Sequence, residues 1–181
     1  MTKIINLFGE PGAGKSTMAA YIFSQLKVKG ANCEYIDEFA KAKVYENNDM
    51  ALSHQIYMFG KSYYRIARVI NNVDVIVIDS PLILNEVYNK DTYIEPEFSA
   101  LIKKVFNRWN NYNYFLMRNH KYKQEGRYQN EQESVQVKDE IKETLNNFEI
   151  PYKVIPANFE EADKIVNEII NILKKEGKIN E

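Results

Sequence analysis

The most informative part of this chain is the segment Gly9-Glu10-Pro11-Gly12-Ala13-Gly14-Lys15-Ser16-Thr17. It matches the pattern G-x-x-x-x-G-K-[ST] at every position. Glycines let successive backbone N–H groups turn inward around an anion, because no Cβ atom obstructs the turn. A helix that begins near Lys15 adds the positive end of its dipole. The segment therefore predicts a loop that cradles phosphate groups.

The surroundings of this loop favour a nucleoside triphosphate as the ligand. Residues 4–8 form a short apolar run typical of a buried strand, and residues 15–28 have helical spacing of their apolar side chains. In such a strand–loop–helix unit, Lys15 is expected to reach the β- and γ-phosphates, and Ser16 to place its hydroxyl on Mg²⁺. The predicted cofactors are ATP and Mg²⁺. The rest of the predicted nucleotide site consists of Gly9, Pro11, Gly12, Ala13, Gly14 and Thr17.

A second feature, Val75-Ile76-Val77-Ile78-Asp79, is an apolar strand that ends in an acid. A carboxylate at the end of a buried strand beside the phosphate loop can hold Mg²⁺ directly or through water. Asp79 is therefore predicted as a metal ligand. The competing interpretation is a strand-end aspartate that caps the next turn.

Strand-like and helix-like segments alternate along all 181 residues, which predicts one α/β domain. Such a chain forms a parallel sheet covered by helices on both faces, a three-layer sandwich, and ligands collect where its strands end. Asp37, Glu38, Asp79 and Arg118 each follow a predicted strand. Strands are predicted at 4–8, 33–36, 73–78, 112–117 and 152–155, and helices at 15–28, 52–70, 97–108, 134–148 and 159–173, the last capped by Asn158.

The composition excludes several classes of protein. The net charge is −1, but the segment from Lys103 to Arg127 holds seven basic residues and one acid. This local positive charge suits a phosphate-rich ligand and keeps DNA among the candidate partners. Cys33 is the only cysteine, so no disulfide framework is expected. No apolar run approaches membrane length. We expect a cytoplasmic location and no membrane contact.

The sequence resembles the P-loop nucleoside and nucleotide kinases, and especially small kinase-like ATPases of tailed bacteriophages. The likeness covers about residues 3–160 and rests on the loop at 9–17, Glu34-Tyr35-Ile36-Asp37-Glu38-Phe39, Asp79-Ser80-Pro81-Leu82, and Tyr114-Phe115-Leu116-Met117-Arg118 followed by Glu125-Gly126-Arg127. It implies five parallel strands in the order 2-3-1-4-5, as in the nucleoside monophosphate kinases, with a lid at 118–130. It also implies that Arg127 and Arg118 close over the transferring phosphoryl group, and that the loop at Ala157-Asn158 holds the adenine.

The same resemblance assigns the acceptor side. Nucleoside kinases carry an acid at the end of the second strand as the base for the acceptor hydroxyl, and Asp37 and Glu38 occupy that position. The chain departs from these kinases at Ser80, where they usually have an arginine. Arg65 or Arg68 is a candidate substitute for substrate binding. Gln55 is a candidate for pairing with a base edge, since its amide both donates and accepts.

Three functions follow as hypotheses. The first is transfer of the γ-phosphate of ATP to a nucleoside or nucleoside monophosphate. The second is phosphorylation of a hydroxymethylated pyrimidine base within DNA. The third is an ATPase switch without an acceptor. The sequence leaves the acceptor, the choice between Asp37 and Glu38, and a homodimeric state open.

Overall fold

The computed structural model describes residues 1–91, 93–94, 96–119 and 131–179, without the side chains of 131 and 132. Within these residues the chain forms a parallel sheet of five strands in the order β2-β3-β1-β4-β5. This confirms the predicted fold class and strand order. The strands are β1 (Lys3–Phe8), β2 (Cys33–Ile36), β3 (Val75–Ile78), β4 (Asn110–Met117) and β5 (Lys153–Pro156).

The central strand β1 is buried on both faces, as an apolar run in a covered parallel sheet should be. Ile5 and Leu7 join the hydrophobic core on one face, and Ile4 and Phe8 join the core on the other. Each of the four side chains is at most 1% exposed. The position of β1 between β3 and β4 therefore places the loop that follows it at the middle of the sheet edge.

The helices form one layer on each face of the sheet. The first layer contains α1 (Lys15–Val28) and α8 (Phe159–Lys175), whose buried stripes share a core. The opposite layer contains α4 (Gln55–Ala67), α5 (Leu84–Val87), α6 (Glu97–Asn107) and α7 (Glu131–Asn147). Two further helices, α2 (Phe39–Tyr45) and α3 (Asp49–Ser53), lie between β2 and α4 in the chain. This is the predicted three-layer sandwich.

The prediction of one long helix over 52–70 is wrong. The chain breaks at His54, whose backbone is not helical (φ −102°, ψ 86°), so α3 ends at Ser53 and α4 begins at Gln55. The amide of Gln55 donates to the carbonyl of Leu52 across the break (2.9 Å). The apolar face of α4 packs on the sheet through Phe59 and Ile66. The short helices α2, α3 and α5 were not anticipated.

Other boundaries agree with the sequence to within a few residues. Asn158 caps α8 as predicted, since its side chain accepts from the backbone N–H of Glu161 (2.8 Å). Residues 120–130 of the predicted lid lie outside the described residues, so the division into one domain with a lid stays a prediction. Within the part of the chain that is described, no helix has both the length and the apolar character that crossing a bilayer requires.

Candidate active site

A cavity of about 1090 Å³ opens at the edge of the sheet where the parallel strands end. The glycine-rich loop and the start of α1 form one wall, and the segments after β2, β3 and β5 form the others. All of these lie at the edge that the alternation of strands and helices predicted for ligands. The lining includes Gly12, Gly14, Lys15, Ser16, Thr17, Tyr35, Asp37, Glu38, Gln55, Asp79, Asn85, Tyr88, Ala157, Asn158 and Phe159.

The loop at 9–17 has the backbone of an anion cradle. Gly12 and Gly14 adopt left-handed conformations, with φ of 78° and 92°, which residues with a Cβ atom rarely adopt. Gly14 directly precedes α1, so the N-terminus of that helix faces the cavity. The Lys15 ammonium donates to the carbonyls of Gly9 (2.8 Å) and Glu10 (3.0 Å). The ammonium is thereby held against the loop that is expected to hold the phosphates.

Asp79 lies at the end of β3, 4% exposed, on the cavity wall. The Tyr35 hydroxyl donates to its Oδ2 (2.7 Å), while its buried Oδ1 has no hydrogen-bond partner among the described residues. Burial raises the pKa of Asp79 to about 6; the Tyr35 hydrogen bond opposes this rise, and Glu38 adds to it. Burial, with the bond to Asp79, also raises the pKa of the Tyr35 phenol far above its usual range, so the phenol stays a donor.

These features fit a cation held together with a nucleotide. A buried carboxylate oxygen with no donor to satisfy it costs free energy unless a cation or water approaches. Ser16 lines the same cavity, and its hydroxyl is an oxygen ligand of the kind that Mg²⁺ takes. In the described part of the chain no cluster of three His, Cys, Asp or Glu side chains is placed to hold a metal unaided. Asp79 and Ser16 would therefore share the ion with phosphate oxygens.

The two acids after β2, Asp37 and Glu38, have different surroundings. Asp37 is exposed, and Arg65 binds both its carboxylate and its backbone carbonyl, the latter at 2.8 Å. Arg65 does not line the cavity. Glu38 is half-buried on the cavity wall, and no described residue makes a hydrogen bond or ion pair with its carboxylate. The structure thus separates two neighbours that the sequence could not tell apart.

Gln55 and Asn158 both lie on the cavity wall, at different segments of it. Gln55 is buried (9% exposed), and its amide nitrogen is engaged by the Leu52 carbonyl. Asn158 uses its side-chain oxygen to cap α8, so its direct contribution to the cavity is limited. Beside it, Phe159 is 53% exposed and packs against Tyr21, with ring centroids 4.5 Å apart.

The two predicted arginines have different outcomes. Arg118 follows β4 and pairs with Glu10 of the glycine-rich loop, with Nε and Oε1 3.5 Å apart. Its predicted role, to close over the transferring phosphoryl group, stays a prediction. Arg127 lies outside the described residues, and its lid role stays a prediction.

The contacts of Glu10, Tyr35 and Phe159 at this site were not predicted from the sequence. Tyr35 lies opposite Val77 in the register of β2 with β3, which brings its hydroxyl to Asp79 two residues further on. That contact depends on the pairing of two strands whose partner residues are 42 positions apart in the chain, and no local pattern reveals such a pairing. Glu10 occupies a variable position of the loop pattern, so its acidity was the only available signal.

The fold and the cavity define a P-loop nucleotide-binding protein. Residues 4–162 match the sequence profile of a family described as AAA domain, and the chain therefore belongs to that family. No curated protein matches the chain by sequence.

Solved structures of the deoxyadenosine kinase from M. mycoides share the fold. The structure with bound dATP is 20% identical, has a TM-score of 0.61, and the match covers 93% of this chain and 99% of that one. The structure with bound dCTP is 17% identical, with a TM-score of 0.57 and coverage of 95% and 99%. The structure with the products dCMP and a flexible dCDP is 16% identical, with a TM-score of 0.55 and coverage of 96% and 97%. These likenesses confirm the predicted P-loop kinase fold.

Proposed function

We propose that this protein is a P-loop kinase that transfers the γ-phosphate of ATP to a hydroxyl group of a nucleoside. The observation that carries the proposal is the composition of a single cavity. It combines the phosphate loop with Lys15, a buried carboxylate at Asp79 and a second carboxylate at Glu38. Donor and acceptor would meet in this space, which is large enough for two small ligands.

The donor half follows from the loop. Backbone N–H groups of residues 12–17 and the dipole of α1 would bind the triphosphate, and Lys15 would neutralise charge on the β- and γ-oxygens. Asp79 and Ser16 would hold Mg²⁺, which supplies charge neutralisation at the phosphates when bound. The cavity wall at Ala157 and Phe159 would receive the adenine, because an exposed aromatic ring offers a stacking surface.

Glu38 is the better candidate for the base that accepts the proton of the acceptor hydroxyl. A carboxylate can act as a general base only if it lies within reach of the proton and is not already bound by a cation. Asp37 is already bound by Arg65, whereas the carboxylate of Glu38 faces the cavity without such a partner among the described residues. Asp37 and Arg65 would then fix the chain at the end of β2, which orients Glu38.

The charges of the cavity favour a neutral acceptor over a monophosphate. Glu38 and Asp37 both act to raise the pKa of Asp79, so the end of β2 and the end of β3 share one negative field. A dianionic acceptor phosphate placed beside these carboxylates would be repelled. A nucleoside hydroxyl suffers no such repulsion. The amide oxygens of Gln55 and Asn85 would accept hydrogen bonds from its base, since the two amide nitrogens already donate to the carbonyls of Leu52 and Leu82.

A screen of γ-phosphate transfer tests the proposal. Radiolabelled ATP is incubated with the protein and with nucleosides, nucleoside monophosphates, or DNA that contains hydroxymethylated pyrimidines. We expect labelled nucleoside monophosphates as the product. Label on monophosphates or on DNA alone would replace the proposed acceptor. Release of inorganic phosphate at the same rate with and without every acceptor would instead support the acceptor-independent ATPase, which is compatible with the family assignment.

A further inference from the structure

We infer that Glu10 is a positioning residue that holds the Arg118 guanidinium at the phosphate loop for phosphoryl transfer. The inference rests on the proposed function, because it assigns Arg118 to the transferring group. Its physical basis is the presence of a buried acid inside a loop that binds polyanions. The negative charge of such an acid repels the polyanion unless a nearby cation compensates it.

The backbone at Gly9 brings the two residues together. Gly9 has a φ of 146°, and a Cβ atom built on it would lie 3.0 Å from the carbonyl oxygen of Leu116. Only glycine allows this approach between the start of the loop and the end of β4. Because Glu10 follows Gly9 and Arg118 lies two residues beyond Leu116, the close approach places their side chains side by side.

The pair is largely withdrawn from water. The Glu10 side chain is 8% exposed and the Arg118 side chain 13%. The contact uses Nε, at one side of the guanidinium, and a guanidinium carries five N–H donors in a rigid fork. The contact with Glu10 thus brings one edge of the guanidinium, and with it the positive charge, to the glycine-rich loop. A carboxylate that fixes the fork before the substrate arrives removes rotamer freedom that would otherwise be lost in the transition state.

A second contact marks the same part of the loop as an anchor. The fully buried hydroxyl of Ser134, near the start of α7, donates to the carbonyl of Pro11 (2.8 Å). Consecutive loop residues, Glu10 and Pro11, are thus joined to the end of β4 and to α7. The Ser134 bond is neutral, so it provides a matched control for loosening of the loop without change of charge.

The test is a double-mutant cycle with Glu10→Gln and Arg118→Met, with Ser134→Ala as control. Glu10→Gln should lower kcat by about tenfold or more, since small displacements of a catalytic group have such effects. It should also leave the KM for ATP unchanged or lower it, because an acid near the triphosphate has been removed. In the Arg118→Met background, Glu10→Gln should not lower kcat further, because Glu10 acts through Arg118. Ser134→Ala should not produce this split between kcat and KM.

Two results would overturn the inference: additive effects of the two substitutions on kcat, or an unchanged kcat in a folded Glu10→Gln protein. If the wild-type protein phosphorylates no acceptor, the proposed function fails. Calorimetry with MgATP then tests separately whether Glu10 and Arg118 are coupled. Loss of Arg118 leaves Glu10 uncompensated. Glu10→Gln should therefore tighten MgATP binding several-fold more in the Arg118→Met protein than in the wild type. Equal effects in both backgrounds would refute the coupling.

Discussion

We expect the hydrogen bond from Tyr35 to Asp79 to influence how Mg²⁺ binding depends on pH. Replacing Tyr35 with Phe removes the hydroxyl that donates to Oδ2 at 2.7 Å and leaves the ring in place. That bond stabilises the ionised carboxylate, so its loss raises the pKa of Asp79 further above its value of about 6. A hydrogen bond to a charged group contributes roughly 1.5–3 kcal/mol, which corresponds to about one pKa unit or more.

The consequence is a shift in the acid limb of Mg²⁺ binding. The carboxylate must be ionised to hold the cation, so affinity falls as pH drops through the pKa of Asp79. A shift of about one unit lowers the ionised fraction roughly threefold near pH 6.5. Above about pH 8.5 the carboxylate is ionised in both proteins, and their affinities should converge.

In the assay, Mg²⁺ is titrated into each protein saturated with ADP, and its affinity is measured by calorimetry at pH values from 5.5 to 9. The phosphates of the nucleotide also titrate, but they do so in both proteins, so the ratio of the two affinities isolates Asp79. Asp79→Asn serves as the control that lacks the titrating group. A ratio that stays constant across the pH range would refute the reasoning, because it would mean that Tyr35 acts on geometry alone.

Three further outcomes are expected. Lys15→Ala should abolish turnover while the circular dichroism spectrum is unchanged; normal turnover would rule out the proposed nucleotide site. Glu38→Gln should lower kcat by roughly 10²-fold or more and Asp37→Asn by much less, and the reverse order would assign the base to Asp37. The Glu176 carboxylate accepts hydrogen bonds from the buried Lys3 ammonium at 2.7 Å and 2.9 Å, and chiefly these bonds lower the pKa of Glu176. Its contribution to the free energy of unfolding is therefore present above its unfolded pKa and is lost as pH falls through its folded pKa. The urea midpoints of wild type and Glu176→Gln should therefore differ at pH 7 and converge near pH 3; an equal difference at both would disprove the linkage.

Local patterns in the sequence determined much of the architecture. Neighbouring residues suffice to specify the loop at 9–17, the apolar strand before it and the helix after it, since glycine freedom and apolar periodicity act within a few residues. The Asn158 cap and the strand that ends at Asp79 are local in the same sense. The strand order 2-3-1-4-5 came from resemblance to known kinases, because pairing between distant strands leaves no local signal.

Only the tertiary structure shows which residues of the site contact one another. Asp37 and Glu38 are adjacent carboxylates in the sequence, and only the packing of α4 places Arg65 on the first and leaves the second on the cavity wall. The pairs Tyr35–Asp79 and Glu10–Arg118 join residues 44 and 108 positions apart. Their contacts depend on strand register and on one glycine at the end of β1. Burial and charge partners are properties of the packed molecule, and a linear pattern does not contain them.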